Sequence, residues 1–262
     1  HLQDLGSRKA IAEAKLEITS GLKKDGILFI DGDEPLLTEK VKTSPFQVKT
    51  FGTTDNNDFF PKNITQRKNG TSFIVNDRDD KFFIPVLGKH NVTNSLAAIG
   101  VGLHFNVSIP NIQRGLKNVQ LTGMRMELKK GINGVTVIND AYNASPTSMK
   151  AALQLLADLT GYRKKIVVLG DMLELGEQEE QFHREIGLSL YPDIIDYVFT
   201  YGKLSEKIAE GAKDNYSTEA VFSFHDKDAL VEKLLSVVEK GDVVLVKGSR
   251  GMKLEEVVEK LI

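Results

Sequence analysis

Residues 134–156, GVTVINDAYNASPTSMKAALQLL, decide the fold. A short apolar run, Val135 to Ile138, passes through a polar loop into a good helix former, Met149 to Leu156. The loop between them holds Asp140, Tyr142, Asn143, Ser145 and Pro146. The same grammar repeats downstream. Strand-like runs fall at 135–138, 165–169, 197–200, 220–223 and 242–246, and helical patterns at 147–158, 178–190, 204–213, 226–239 and 252–261. Strands alternating with helices predict βαβ units around a parallel sheet. The continuous apolar character of the runs suits strands covered on both faces. The expectation for residues 122–262 is therefore an α/β, Rossmann-like domain with a mostly parallel sheet.

Residues 1–121 are less regular and are expected to form a separate α/β domain. A helix is predicted over 8–20, with Ser7 as N-cap and Gly21 beyond its end. A strand is predicted at 26–30, a hairpin over 71–87, an Ala- and Gly-rich helix over 91–104, and a short helix at 109–116 with Pro in its first turn.

Composition narrows the function. Lys plus Arg is 34 and Asp plus Glu is 36, a net charge of −2. So even a balance argues against nucleic acid as the main partner. There is no Cys, which removes disulfides and thiolate metal sites and fits a reducing, cytoplasmic location. No apolar run is long enough to span a bilayer, and no signal peptide is visible.

In an open α/β sheet, ligands bind beyond the carboxyl ends of the strands. Three of the five strand ends carry compact polar motifs: DAYNASP (140–146), GDMLELG (170–176) and KGSRG (247–251). Each also has an ordinary structural explanation. Asp140 could accept turn hydrogen bonds, and Asn143 or Ser145 could cap a helix. Lys247 and Arg250 could be solvated surface charges. The coincidence of three motifs on one edge favours a ligand crevice. Elsewhere, Asn91 and Asn94 in GKHNVTNSLAA (88–98) could read a purine edge, or one of them could be an N-cap. Arg125 in TGMRMEL (122–128) suits bidentate contact with phosphate, or an interdomain salt bridge. Lys15, in the middle of its helix, is not selected by sequence physics at all.

Together, HLQDLGSRKAIAEAKLEI, GKHNVTNSLAAIGVG, TGMRMEL, NDAYNASPTSMKAAL, VVLGDMLELG and VLVKGSRGMKLEEVV resemble the Mur ligase family. They span nearly the whole chain in the family's order. The D-N-P-R motif of members adding acidic or diamino acids is absent. DAYNASP and GDMLELG resemble the branch that adds D-alanyl-D-alanine to UDP-N-acetylmuramoyl-tripeptide, although Ser145 stands where that branch usually has Asn.

The resemblance implies ATP-dependent, ADP-forming amide synthesis in peptidoglycan precursor assembly, through an acyl phosphate. It implies ATP and Mg²⁺, with His1 at a Mg²⁺ site and Lys15 carbamylated as a further anionic oxygen ligand. Asn91 and Asn94 fall at the adenine side. Arg125 and Asp140 reach the phosphates and ribose. Tyr142, Asn143, Ser145, Lys247, Ser249 and Arg250 border the dipeptide or the acyl intermediate. A monomer is expected. The family's phosphate loop, G-x-x-G-K-[ST], is absent, so the chain is expected to be the rest of a central ATPase domain plus a C-terminal domain, inactive by itself. Two alternatives stay open: another Mur-type or folylpolyglutamate-synthetase-like ligase, and a non-catalytic ligand-binding module.

Overall fold

A computed structural model describes residues 6–67, 70–119 and 123–262. The chain divides into two compact units, His1–Gln120 and Leu121–Ile262. No helix among the described residues is long and apolar enough to cross a membrane.

In the first unit, helix α1 (Arg8–Leu16) starts at Ser7, whose Oγ accepts the Ala10 N–H at 3.1 Å. Its last turns tighten into a 3₁₀ segment, Glu17–Gly21, so the predicted helix over 8–20 is α-helical only in its first part. Strands β1 (Ile27–Asp31) and β2 (Gln47–Phe51) pair in parallel across helix α2 (Pro35–Val41). Strands β3 (Pro61–Arg67), β4 (Gly70–Val75) and β5 (Lys81–Ile84) form an antiparallel sheet in that order. The predicted hairpin is β4–β5. Phe73, Val75, Phe82 and Ile84 alternate onto one face, where Val92, Leu96 and Ile99 of helix α3 (Lys89–His104) cover them. Helix α4 (Ile109–Lys117) adds Ile112 and Leu116 to the same core.

The second unit is a six-stranded sheet. Its strands are β6 (Glu127–Lys130), β7 (Thr136–Asp140), β8 (Lys165–Gly170), β9 (Tyr197–Tyr201), β10 (Val221–Phe224) and β11 (Val243–Lys247). Their spatial order is β10-β9-β8-β11-β7-β6. All neighbours are parallel except β6, which runs antiparallel along the edge beside β7. Strands β7, β8 and β11 are almost wholly buried, as their unbroken apolar runs require. The helices are α5 (Pro146–Asp158), α6 (Glu179–Leu188), α7 (Glu206–Ala212), α8 (Lys227–Leu235) and α9 (Glu255–Leu261).

Val137, Ile166, Val168, Val244 and Val246 form one core cluster with Leu230 and Leu234 of α8 and Val257 and Val258 of α9. Side chains alternate along a strand, so Ile138, Val167 and Leu245, all fully buried, face the opposite layer of α5 to α7. Adjacent strands β7 and β11 thus send their following helices, α5 and α9, to opposite faces. That is a topological switch point, and the crevice it opens lies beyond the carboxyl ends of β7 and β11.

Candidate site at the carboxyl edge of the second sheet

Asp140 and Lys247 are register partners at the ends of parallel strands β7 and β11. The Lys247 ammonium donates to Asp140 Oδ2 at 2.6 Å and to the Asn143 carbonyl at 2.9 Å. Both side chains are buried, with 3% of Lys247 and 12% of Asp140 exposed. The other carboxylate oxygen, Asp140 Oδ1, accepts the Met126 N–H at 3.1 Å.

That bond ties down an unusual turn. Met124 and Met126 both lie in the left-handed region, at φ 64° and 49°, where non-glycine residues are uncommon. Such strain persists only where the surroundings over-determine it. Besides Asp140, the Tyr142 N–H donates to the Met124 carbonyl at 3.1 Å, and the Met124 N–H donates to Glu127 Oε2 at 3.3 Å. Arg125 stands at the apex, exposed, with its guanidinium carbon 4.3 Å from the centre of the Tyr142 ring.

The other loops close around the same edge. The Ser249 N–H donates to the Asp171 carbonyl at 3.0 Å, and Ser249 Oγ accepts the Leu173 N–H at 2.9 Å. Arg250 Nη1 lies 2.9 Å from Glu255 Oε1 and 2.8 Å from Met124 Sδ. Asp171 Oδ1 accepts both the Ser205 N–H and its hydroxyl, at 2.7 and 2.6 Å. Fully buried His183 accepts the Met172 N–H at 2.8 Å on Nε2, which leaves Nδ1 to donate to the Glu179 carbonyl at 2.6 Å.

Ser145 is the N-cap of α5 in a reciprocal pair. Its Oγ accepts the Ser148 N–H at 3.3 Å, and its own N–H donates to Ser148 Oγ at 2.9 Å.

Comparison with known proteins fits this architecture. The Mur ligase middle domain matches residues 1–102, and the Mur ligase glutamate ligase domain matches residues 124–250. The UDP-N-acetylmuramoyl-tripeptide–D-alanyl-D-alanine ligase of Bacillus subtilis is 52% identical over all 262 residues, which cover 57% of that relative. The Escherichia coli ligase of the same description is 33% identical, with 57% of it covered. The chain belongs to the Mur ligase family. Among solved structures, MurF from Acinetobacter baumannii superposes with a TM-score of 0.87 at 26% identity, covering all of this chain and 57% of that one. MurF ligase from Thermotoga maritima in complex with ADP superposes at 0.84 and 26% identity, covering 99% and 58%. This chain thus spans a little over half the length of the relatives it matches.

Within this Mur ligase chain, the expected site residues separate by environment. Arg125, Tyr142, Asn143 and Arg250 are exposed on the carboxyl edge. Asp140, Lys247, Ser145 and Ser249 are engaged by the protein itself. In the first unit, Asn91 and Asn94 do not behave alike. Asn91 is buried and donates from Nδ2 to the Leu87 carbonyl at 2.7 Å, whereas Asn94 is exposed. Neither is the N-cap of α3; that position is Gly88, at φ 95°. Lys15 is exposed on α1. His1 lies outside the described residues.

Sequence reading missed Met124 and Met126, whose backbone strain leaves no compositional mark. It also missed His183, a lone histidine with nothing to distinguish it from a core residue.

Proposed function

We propose that the chain forms part of an ATP-dependent ligase that joins D-alanyl-D-alanine to UDP-N-acetylmuramoyl-tripeptide. The carrying observation is the exposed Arg125–Tyr142–Asn143–Arg250 group at the switch-point crevice, in a chain 52% identical along its whole length to a ligase of that description. In this reading the tripeptide carboxylate attacks the γ-phosphate of ATP, giving an acyl phosphate and ADP. The dipeptide amine then attacks the acyl carbon and phosphate leaves. Arg125, exposed and with its guanidinium over the Tyr142 ring, suits bidentate contact with a phosphate. Asp140 retains acceptor capacity for a ribose hydroxyl, because each carboxylate oxygen can accept more than one hydrogen bond. Asn91 and Asn94 serve the adenine side, with exposed Asn94 the better placed to donate and accept. Arg250 supplies a cation for the dipeptide carboxylate, with Asn143 and Ser249 beside it. The working form is a monomer.

Among the described residues, no group of three or more His, Cys, Asp or Glu could hold a metal ion. Mg²⁺ keeps several waters and is held by one or two carboxylates plus substrate phosphates, so the ion the resemblance implies needs no such group of three, and His1, assigned to it, lies outside the described residues. A carbamate on Lys15 requires an accessible amine, which an exposed lysine offers. A solvated helix lysine is equally exposed, and Lys15→Ala distinguishes the two by abolishing or sparing turnover.

The test is amide formation by the full-length protein, followed as ADP release and as dipeptide incorporation. D-alanyl-D-alanine and the tripeptide should support turnover, and Arg125→Ala should raise the KM for ATP. Turnover with glutamate on a folate acceptor instead would favour the folylpolyglutamate-synthetase-like reading. A full-length protein that binds nucleotide with no turnover would favour a binding module.

A further inference from the structure

Lys247, in a loop that resembles a substrate-binding element, has the sequence credentials of a ligand cation. Its surroundings say otherwise. Only 3% of its side chain is exposed, and its charge is matched at 2.6 Å by Asp140. A lysine and a carboxylate buried together present no net cation to an anionic substrate. We infer that Lys247 is a positioning residue: it fixes the Asp140 carboxylate, which in turn holds the strained Met124–Met126 turn and so aims Arg125.

The chain of contacts is short. Lys247 Nζ donates to Asp140 Oδ2, and Asp140 Oδ1 accepts the Met126 N–H at 3.1 Å. Each carboxylate oxygen therefore has one assignment, and removing the ammonium frees the group to rotate. The turn cannot supply the missing restraint itself, since two non-glycine residues flanking Arg125 sit at positive φ. The same ammonium also holds the Asn143 carbonyl at 2.9 Å. One buried atom thus references both the Arg125 turn and the Tyr142–Asn143 loop whose ring supports Arg125. Because Lys247 ends β11 and Asp140 ends β7, the lock spans the switch point.

The structural half of this inference stands on contacts within the second unit. The nucleotide half rests on the function proposed above. Both are tested in the full-length protein with Lys247→Met, Asp140→Asn and the double variant, by amide hydrogen exchange at Met126 and by the KM for each substrate. Lys247→Met should speed Met126 exchange by well over tenfold, because losing one member of a buried charged pair leaves the other without its counter-charge. It should raise the KM for ATP more than that for D-alanyl-D-alanine. In the Asp140→Asn background the buried ammonium has already lost its counter-charge, so adding Lys247→Met should not speed Met126 exchange further and should slow it. This comparison also serves if Lys247→Met alone does not fold.

A tenfold effect persisting in the Asp140→Asn background would overturn the inference, because Lys247 would then act without Asp140. So would unchanged Met126 exchange with a selective rise in the dipeptide KM, because Lys247 would then contact substrate directly. If Met126 exchange responds as expected while Arg125→Ala leaves the ATP KM unaltered, the lock stands and the proposed phosphate role of Arg125 falls.

Discussion

Replacing His183 with Leu should destabilise the second unit although His183 touches no candidate ligand group. The imidazole is fully buried between two backbone groups, accepting from Met172 and donating to Glu179. Leucine is of similar size and fills the space, so the cost comes mainly from the orphaned Met172 N–H. An unsatisfied buried donor costs about 1–3 kcal/mol. For a unit of 142 residues (121 to 262), that corresponds to a fall in Tm of roughly 3–10 °C. The loss should also reach the site. The next residue, Leu173, donates its N–H to Ser249 Oγ, so a loosened Met172 loosens the KGSRG loop. His183→Gln, whose Oε1 can accept the same N–H, should recover part of the stability. The assays are thermal denaturation by circular dichroism and exchange of the Met172 amide. A Leu variant melting within about 1 °C of the parent, with Met172 still protected, would show that this hydrogen bond does not hold the loop, given the size of shift a buried orphan should produce.

Three further outcomes follow from named contacts. Tyr142→Ala should raise the KM for ATP by about two- to fivefold, since an exposed cation–π contact is worth about 0.5–1 kcal/mol, while Tyr142→Phe keeps the ring under Arg125 and should be nearly silent. Gly187→Ala should lower Tm strongly, by the equivalent of about 1–3 kcal/mol or more, because the added methyl meets the Ile208 backbone carbonyl where α6 and α7 cross, and no side chain can move aside. Asp33 sits in a polar loop of the first unit. Burial alone would raise its carboxyl, but hydrogen bonds from the Thr53 N–H and hydroxyl, Asn57 and Thr54 hold it well below the usual carboxylate range. A depressed folded value means its stabilisation is complete above the ordinary Asp value of about 4 and fades as pH falls below it. Asp33→Asn should therefore lower Tm at pH 7 by a margin that narrows steadily as pH falls below about 4; a Tm difference constant with pH would contradict the assignment.

The second unit was the more legible because its strands bury both faces. Such strands read as continuous apolar runs, and β7, β8 and β11 are buried at almost every residue. The exceptions are instructive. Strand β6, Glu-Leu-Lys-Lys, is short, polar and antiparallel at the sheet edge, where one side has no neighbour and nothing demands apolar residues. In the first unit, β3 is exposed along most of its length, so it carries no hydrophobic alternation to detect. Helix α2 has no buried residue, and at seven residues, under two turns, it is too short for a helical period to stand out. What sequence pattern reports is burial, and elements that bury little are silent in it.

The site was legible as a place but not as a division of labour. Lys247 and Arg250 lie three residues apart in one motif, and both read as cations for an anionic ligand. One is sealed against Asp140 and the other is exposed on the edge. The deciding partner of Lys247 is 107 residues away along the chain, a separation at which no local spacing rule operates. The consequence reaches back to Asp140. A carboxylate that both holds the Arg125 turn and reaches a ribose cannot be judged by deletion. Asp140→Ala would leave the Lys247 ammonium buried without its counter-charge, which is strongly destabilising in its own right. A raised KM for ATP in that variant would then mix a lost ribose contact with a displaced Arg125. The Asp140→Asn, Lys247→Met double variant, which removes the buried ammonium together with its counter-charge and keeps one acceptor for the Met126 N–H, is the change that can separate the two.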